Sequence, residues 1–177
     1  MVFHDVRNQS KPGKTVPTYC RSMTRKEGLF LVTHADTDSV TLRDVVDSQV
    51  LTLSANPGFE VGSVIEATLE AEPPMEVTYA VADLAAEHEI PVEVVDLEPT
   101  QQATDIAAAQ PAGELTTQER AGIGELHVLT VPGGEAAATA EAVAANEETV
   151  ARAGRLGVDR VEIRTASGVV SVRYLPD

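Results

Sequence analysis

Residues 63–71, SVIEATLEA, read as a β-strand with one wet face. Ile65, Ala67 and Leu69 fall on one side; Glu66, Thr68 and Glu70 fall on the other, the period of two of a half-buried strand. Upstream the pattern recurs in short units. From Gly28 the chain turns β: Leu29–Thr33 is an apolar run, closed by the turn formers Asp36 to Ser39. Val40–Val45 alternates, with Val40 and Leu42 opposite Thr41 and Arg43. Gln49–Leu53 puts Leu51 and Leu53 on one face, and Asn56-Pro57-Gly58 then breaks the chain. Downstream, Pro73-Pro74 stops the strand, and Met75, Val77, Tyr79 and Val81 make the next alternating face. Short strands at this spacing over residues 28–96 predict a small, strongly curved sheet or barrel, OB-like by analogy. Such an analogy says little about function.

Residues 83–96 are ambiguous, with a helical turn through Ala85-Ala86-Glu87 and then a candidate strand at Ile90–Val95. Residues 97–124 read as a connector with short helices. One lies around Thr104–Ala109; another starts at Thr116 or Thr117, with Glu119 placed to cap it. Residues 125–177 form a small α/β unit of order β-α-α-β-β. Glu125–Val131 is a strand, and Pro132-Gly133-Gly134 leads into a helix over roughly 135–145, interrupted at Asn146. A second helix runs to about Leu156 and stops at Gly157. Val158–Thr165 and Val169–Leu175 pair as a hairpin about Ala166-Ser167-Gly168. The fold class is therefore α+β, an N-terminal curved sheet or barrel followed by this second unit. Whether they count as one domain or two, 177 residues leave open.

Charge divides the chain. Residues 1–28 hold six basic side chains (Arg7, Lys11, Lys14, Arg21, Arg25, Lys26) against Asp5 and Glu27. Of the chain's 13 basic and 28 acidic residues, seven and 26 therefore fall in 29–177, a net of −19. Those seven bases are all Arg. A carboxylate-rich surface keeps a protein soluble where salt screens charge. Arg in place of Lys removes a strongly hydrated ammonium and keeps a bidentate partner for carboxylates. Together these features point to molar salt; mimicry of nucleic acid would not explain the missing Lys. Residues 1–27 read as a disordered basic tail, either an arm for an anionic partner or an extension ahead of a true start at Met23, the reading preferred. Cys20 is alone, which excludes an internal disulfide and a Cys-based metal cluster. No apolar run approaches membrane-spanning length and no signal-like segment opens the chain, so a cytoplasmic location is expected.

Three constellations are candidate sites. His34, Asp36 and Asp38 alternate on one side of an extended segment and could meet a divalent ion, although Asp is common in hairpin turns anyway. Gly133-Gly134 before a helix could cradle an anion, but lacks a phosphate-loop Lys and is followed by Glu135. The third is an arginine cluster, Arg152, Arg155, Arg160, Arg164 and Arg173, within the last 26 residues. Arg160, Glu162 and Arg164 share one strand face, and Arg173 is expected opposite Arg160 across the hairpin. These guanidinium groups could clasp phosphate, RNA or an acidic partner. The competing reading pairs them with Glu162, Asp159 and the acidic helices. At molar salt the screening length is about 3 Å, so only direct contacts would hold an anion. His4, His88 and His127 are isolated, and no serine elbow, zinc motif, kinase set or Cys pair occurs.

The segments GLFLVTHADTDSVTLRDV, EAEPPMEVTY, GELTTQERAGIGELHVLTVP and ARAGRLGVDRVEIRTASGVVSVRYLP resemble an uncharacterised haloarchaeal family, domain-of-unknown-function family 5812. The likeness covers about residues 23–176 and supports the high-salt reading and the start at Met23. It implies no reaction, substrate or site residue. The expected function is a non-enzymatic binding or adaptor protein, contacting a protein or RNA partner through Arg160, Arg164 and Arg173. No cofactor or membrane is expected, and DNA is disfavoured. The alternative is a small-molecule binder or small enzyme using a cleft between the two units, with Gly134 and nearby Arg. An RNA-binding barrel is weaker, because Arg43 is the one base in the barrel strands after Gly28 and only three Phe and three Tyr are available to stack on bases.

Overall fold

The computed structural model describes residues 24–177. Expectations for residues 1–23, including the basic arm, the start at Met23 and Cys20, lie outside the described residues. Chain order is β1 (Arg25–Ala35), β2 (Val40–Asp44), β3 (Val50–Leu53), β4 (Val64–Ala71), β5 (Tyr79–His88), β6 (Val92–Val94), α1 (Gln101–Ala109), β7 (Leu115–Glu119), β8 (Glu125–Thr130), α2 (Ala136–Ala144), α3 (Glu147–Leu156), β9 (Arg160–Ala166) and β10 (Val169–Leu175).

The first five strands close into the small barrel expected, in the order β1-β2-β3-β5-β4. Strand β1 makes this possible by serving two neighbours. Residues 25–31 pair with β4, and residues 30–35 pair with β2, past a bulge between Val32 and His34 that bends the strand. Phe30, Val32, Leu42, Leu53, Ile65 and Leu69 fill the interior. The alternation of 63–71 is seen as read, with Ile65, Ala67 and Leu69 buried.

Three sequence expectations are corrected here. The first strand begins at Arg25, inside the expected disordered tail, because residues 25–27 pair with Glu70, Leu69 and Thr68. Met75 and Val77 are exposed in the turn after the prolines, which Glu72 closes by donating its N–H to Thr78. The next strand starts only at Tyr79, and Ala85-Ala86-Glu87 lie within it rather than in a helical turn. Pairing with β4 along Tyr79–His88 supplies backbone partners that override local helix preference.

The second sheet has the order β6-β9-β10-β8-β7, with β6 parallel to β9 and the other pairs antiparallel. From Glu125 onward the chain runs β8-α2-α3-β9-β10, the order expected. Helix α3 carries the terminal signals read from sequence. The Asn146 side chain accepts from the Glu148 N–H, Glu147 and Glu148 sit in the first turn, Arg155 in the last, and Gly157 is left-handed at φ 65°. The helix expected from Thr116 or Thr117 is instead strand β7, hairpinned to β8. Gly124, at φ 113°, makes that reversal, and a Cβ there would lie 2.4 Å from the Tyr174 carbonyl oxygen.

Helices α2 and α3 cover one face of the second sheet over Val161, Ile163, Val170 and Val172. Helix α1, capped by the Thr100 side chain, packs Ala103 and Ala107 against Leu126, Val128 and Val169 on the other face. Helix α3 also joins the second sheet to the barrel. Leu31, Val45 and Val64 belong to the same apolar cluster as Ala151 and Ala153. At Gly154 a Cβ would stand 3.2 Å from a Val64 methyl, so the helix lies close against β4. Arg155 donates to the Val45 carbonyl at 2.5 Å, and Arg43 reaches back to Glu148.

Candidate functional site

The five C-terminal arginines do not form one surface. Strand register decides this first. Arg173 faces Glu162 across the hairpin, and Arg160 faces Leu175, so the expected Arg160–Arg173 pairing is displaced by two residues. Arg164 and Arg173 both bind Glu162 Oε1, at 2.5 and 2.7 Å, and all three side chains are mostly covered. Burial works to raise the Glu162 carboxyl; the two guanidinium groups outweigh it and hold it below the ordinary 4.5. Arg160, half-exposed at the strand start, approaches Asp177 at 3.8 Å.

Beside Arg173 lies a polar pocket of about 300 Å³, lined by Thr100, Gln102, Gln118, Glu119, Arg120 and Arg173 among others. It opens at the N-terminal end of α1, where no acidic side chain occupies the first turn. Arg120, from the β7–β8 turn, is exposed and makes no ion pair among the described residues. Gln102 and Gln118 bond each other across the pocket at 2.6 Å.

The other two arginines lie on the opposite side of the sheet. Arg152 donates from Nε and Nη2 to both oxygens of Glu125, at 2.6 to 2.9 Å. His127 Nε2 reaches the same carboxylate at 2.7 Å, and its ring leans on Tyr174 with centroids 4.9 Å apart. Desolvation tends to raise the Glu125 carboxyl, but the bonds from His127 and Arg152 bring it below 4.5; burial pushes the Tyr174 hydroxyl up to about 12. Arg155 binds Glu148 and the barrel, a joining role.

His34 and Asp36 form an exposed pair at 3.1 Å, and Asp38 does not complete a set with them. Among the described residues no group of three His, Cys, Asp or Glu side chains is placed to hold a metal ion. Gly133 and Gly134 form a plain turn before α2, whose N-cap position Glu135 occupies without a side-chain cap. A cleft of about 550 Å³ does open between barrel and second sheet, lined by Glu60, Glu87, Glu89, Ile90, Val92 and Val150 among others. Neither Gly134 nor any arginine lines it. Among the described residues no helix is long and apolar enough to cross a membrane.

A family model described as a family of unknown function, DUF5812, matches residues 26–165. The chain belongs to that family. No curated protein and no solved structure matches it. In this DUF5812 chain the match spans the barrel and ends before the final strand. Arg120, Gln118 and Glu125 were invisible as site residues in the sequence, since nothing local distinguishes them in a carboxylate-rich chain. His127 carried one signal, a histidine at an alternate position from Glu125 on a strand, which puts both on one face.

Proposed function

We propose that this DUF5812 protein is a non-enzymatic binding protein of a haloarchaeal, high-salt cytoplasm, engaging an acidic protein partner at the Arg120–Arg173 pocket. The observation that carries this reading is exposed Arg120, without an ion pair among the described residues, beside the Glu162-bound Arg173 at the start of α1 in a chain of net charge −15. At high salt an unpaired guanidinium can hold an acidic partner only through direct contact, because salt removes long-range attraction. The neighbouring β7 is the outer strand of its sheet, so its outward backbone groups can take a further strand from a partner. A peptide strand laid there would run past Arg120. RNA is less favoured, because Phe30, Phe59 and Tyr174 are buried and offer no stacking platform.

Affinity capture from lysate held at molar KCl, with and without nuclease, tests this. A partner retained after nuclease and by Arg160→Glu, and lost with Arg120→Glu, supports the reading. Capture unaffected by Arg120→Glu, or abolished by nuclease, overturns it. The high-salt assignment is tested separately, by unfolding in a KCl series. Stability that rises steeply with KCl is expected from a net of −19 over 29–177; a flat response would refute it.

The cleft between barrel and sheet supports a second reading, a small-molecule site. Its three glutamates suit a cationic or neutral ligand, and spermidine titrated against wild type and Glu87→Gln would decide it.

A further inference from the structure

We propose that the groove on the α2/α3 face of the second sheet, beside Arg152, binds a small amphipathic carboxylate: an aliphatic body with one carboxylate head. The Arg120 pocket lies on the other face, and the two proposals share only β7, whose Leu115 borders this groove. The groove holds about 290 Å³ and is floored by Leu115, Leu129, Val143, Val170 and Val172. At roughly 30 Å³ per water-sized group, that is room for on the order of ten non-hydrogen atoms. Its polar lining is Arg152, His127 and Asn146, with Glu148, Thr149 and the Tyr174 ring beside them, a few polar groups against an apolar floor as in a small-ligand site.

The head-group chemistry follows from which donors are already used. Arg152 spends Nε and Nη2 on Glu125, leaving the Nη1 edge without a protein acceptor among the described residues. Asn146 uses its Oδ1 on the Glu148 N–H, so its amide nitrogen remains available. The other carboxylate at the groove, Glu148, is taken up by Arg155 and Arg43. Unused donors therefore line the groove while its one carboxylate is already engaged, which suits an oxyanion. The guanidinium is also held in place before any ligand arrives. Glu125, only 9 % exposed, grips it at two points and is itself fixed by His127. Such preorganisation lowers the ordering cost of binding. A planar guanidinium held along one edge presents its other edge to a second carboxylate.

Hexanoate, hexanamide and acetate titrated against the full chain at constant molar KCl, followed by calorimetry and by amide and methyl NMR, test the proposal. Hexanoate is expected to bind saturably, with shifts confined to Leu129, Val143, Val170, His127 and neighbours. Hexanamide should bind about tenfold to a hundredfold more weakly, having lost a bond to a charged donor. Acetate, four methylenes shorter, should be weaker by roughly a hundredfold. The paired variant Glu125→Gln with Arg152→Gln, which leaves no orphaned charge, should erase the preference for hexanoate over hexanamide. Equal affinity for hexanoate and hexanamide in the wild type overturns the proposal, whatever the variant does. So do absence of saturable binding and shifts that map elsewhere.

Discussion

Replacing Glu125 by Gln removes the carboxylate on which Arg152 and His127 converge. The four contacts to be lost or reversed are three from Arg152, at 2.6 to 2.9 Å, and one from His127 at 2.7 Å. A carboxamide keeps one acceptor oxygen but places an NH₂ where the second stood. In either orientation that NH₂ meets a guanidinium donor, so the change adds a donor–donor conflict to the loss of charge. Removing one partner of a buried pair costs about 3–5 kcal/mol. Arg152 retains 34 % of its side-chain exposure, so water recovers part of that, and exposed pairs are worth about 1 kcal/mol or less. The expected loss is about 2 kcal/mol, read as a lower urea midpoint by circular dichroism at fixed molar KCl. Adding Arg152→Gln should return the protein to within about 1 kcal/mol of wild type, because the stranded cation is gone. A single variant within about 0.5 kcal/mol of wild type would refute the reasoning. A double variant as unstable as the single one would refute it equally.

Acid should destabilise the fold through the same kind of group. Glu125, Glu148 and Glu162 all titrate below their ordinary 4.5 in the folded chain, so the unfolded chain binds protons more readily. Their stabilisation is complete above that value and disappears as pH falls through the folded values; a urea midpoint that held constant from pH 6 to about pH 3 would contradict this. Gly124→Ala combines a left-handed backbone with a Cβ 2.4 Å from the Tyr174 carbonyl, and should cost about 2–5 kcal/mol in the same assay. A loss under about 1 kcal/mol would mean that the β7–β8 turn is not built as described. Ser171→Ala should raise stability by about 1 kcal/mol, since the Ser171 hydroxyl is fully buried without a hydrogen-bond partner among the described residues. A destabilised variant would show that the hydroxyl has found one.

The arginine cluster shows how sequence reading and structure divide. That Arg164 and Glu162 share a strand face follows from period two alone, and that holds. Which arginine lies across from Glu162 depends on the hairpin register, and a two-residue displacement changes an expected open cationic face into a covered Arg–Glu–Arg group. Arg152 was visible as one of five arginines, but its partner Glu125 is 27 residues away and on another element. The groove it borders needs α3 and β8 to be brought together first.

Features carried by neighbouring residues were therefore determined by the sequence itself: the strand 63–71, the Asn146 cap and the Gly157 stop, beside the acidic composition with no Lys after residue 26. Each depends on side-chain period or on hydrogen bonds within a few positions. The tertiary structure alone decided that Ala85-Ala86-Glu87 and Thr116-Thr117 are strand, and that the five arginines fall into separate settings. Local preference at those segments is worth fractions of a kcal/mol per residue, and a full ladder of backbone partners along β4 or β8 outweighs it. Charge partners are chosen last, by whichever carboxylate the packed elements leave within reach.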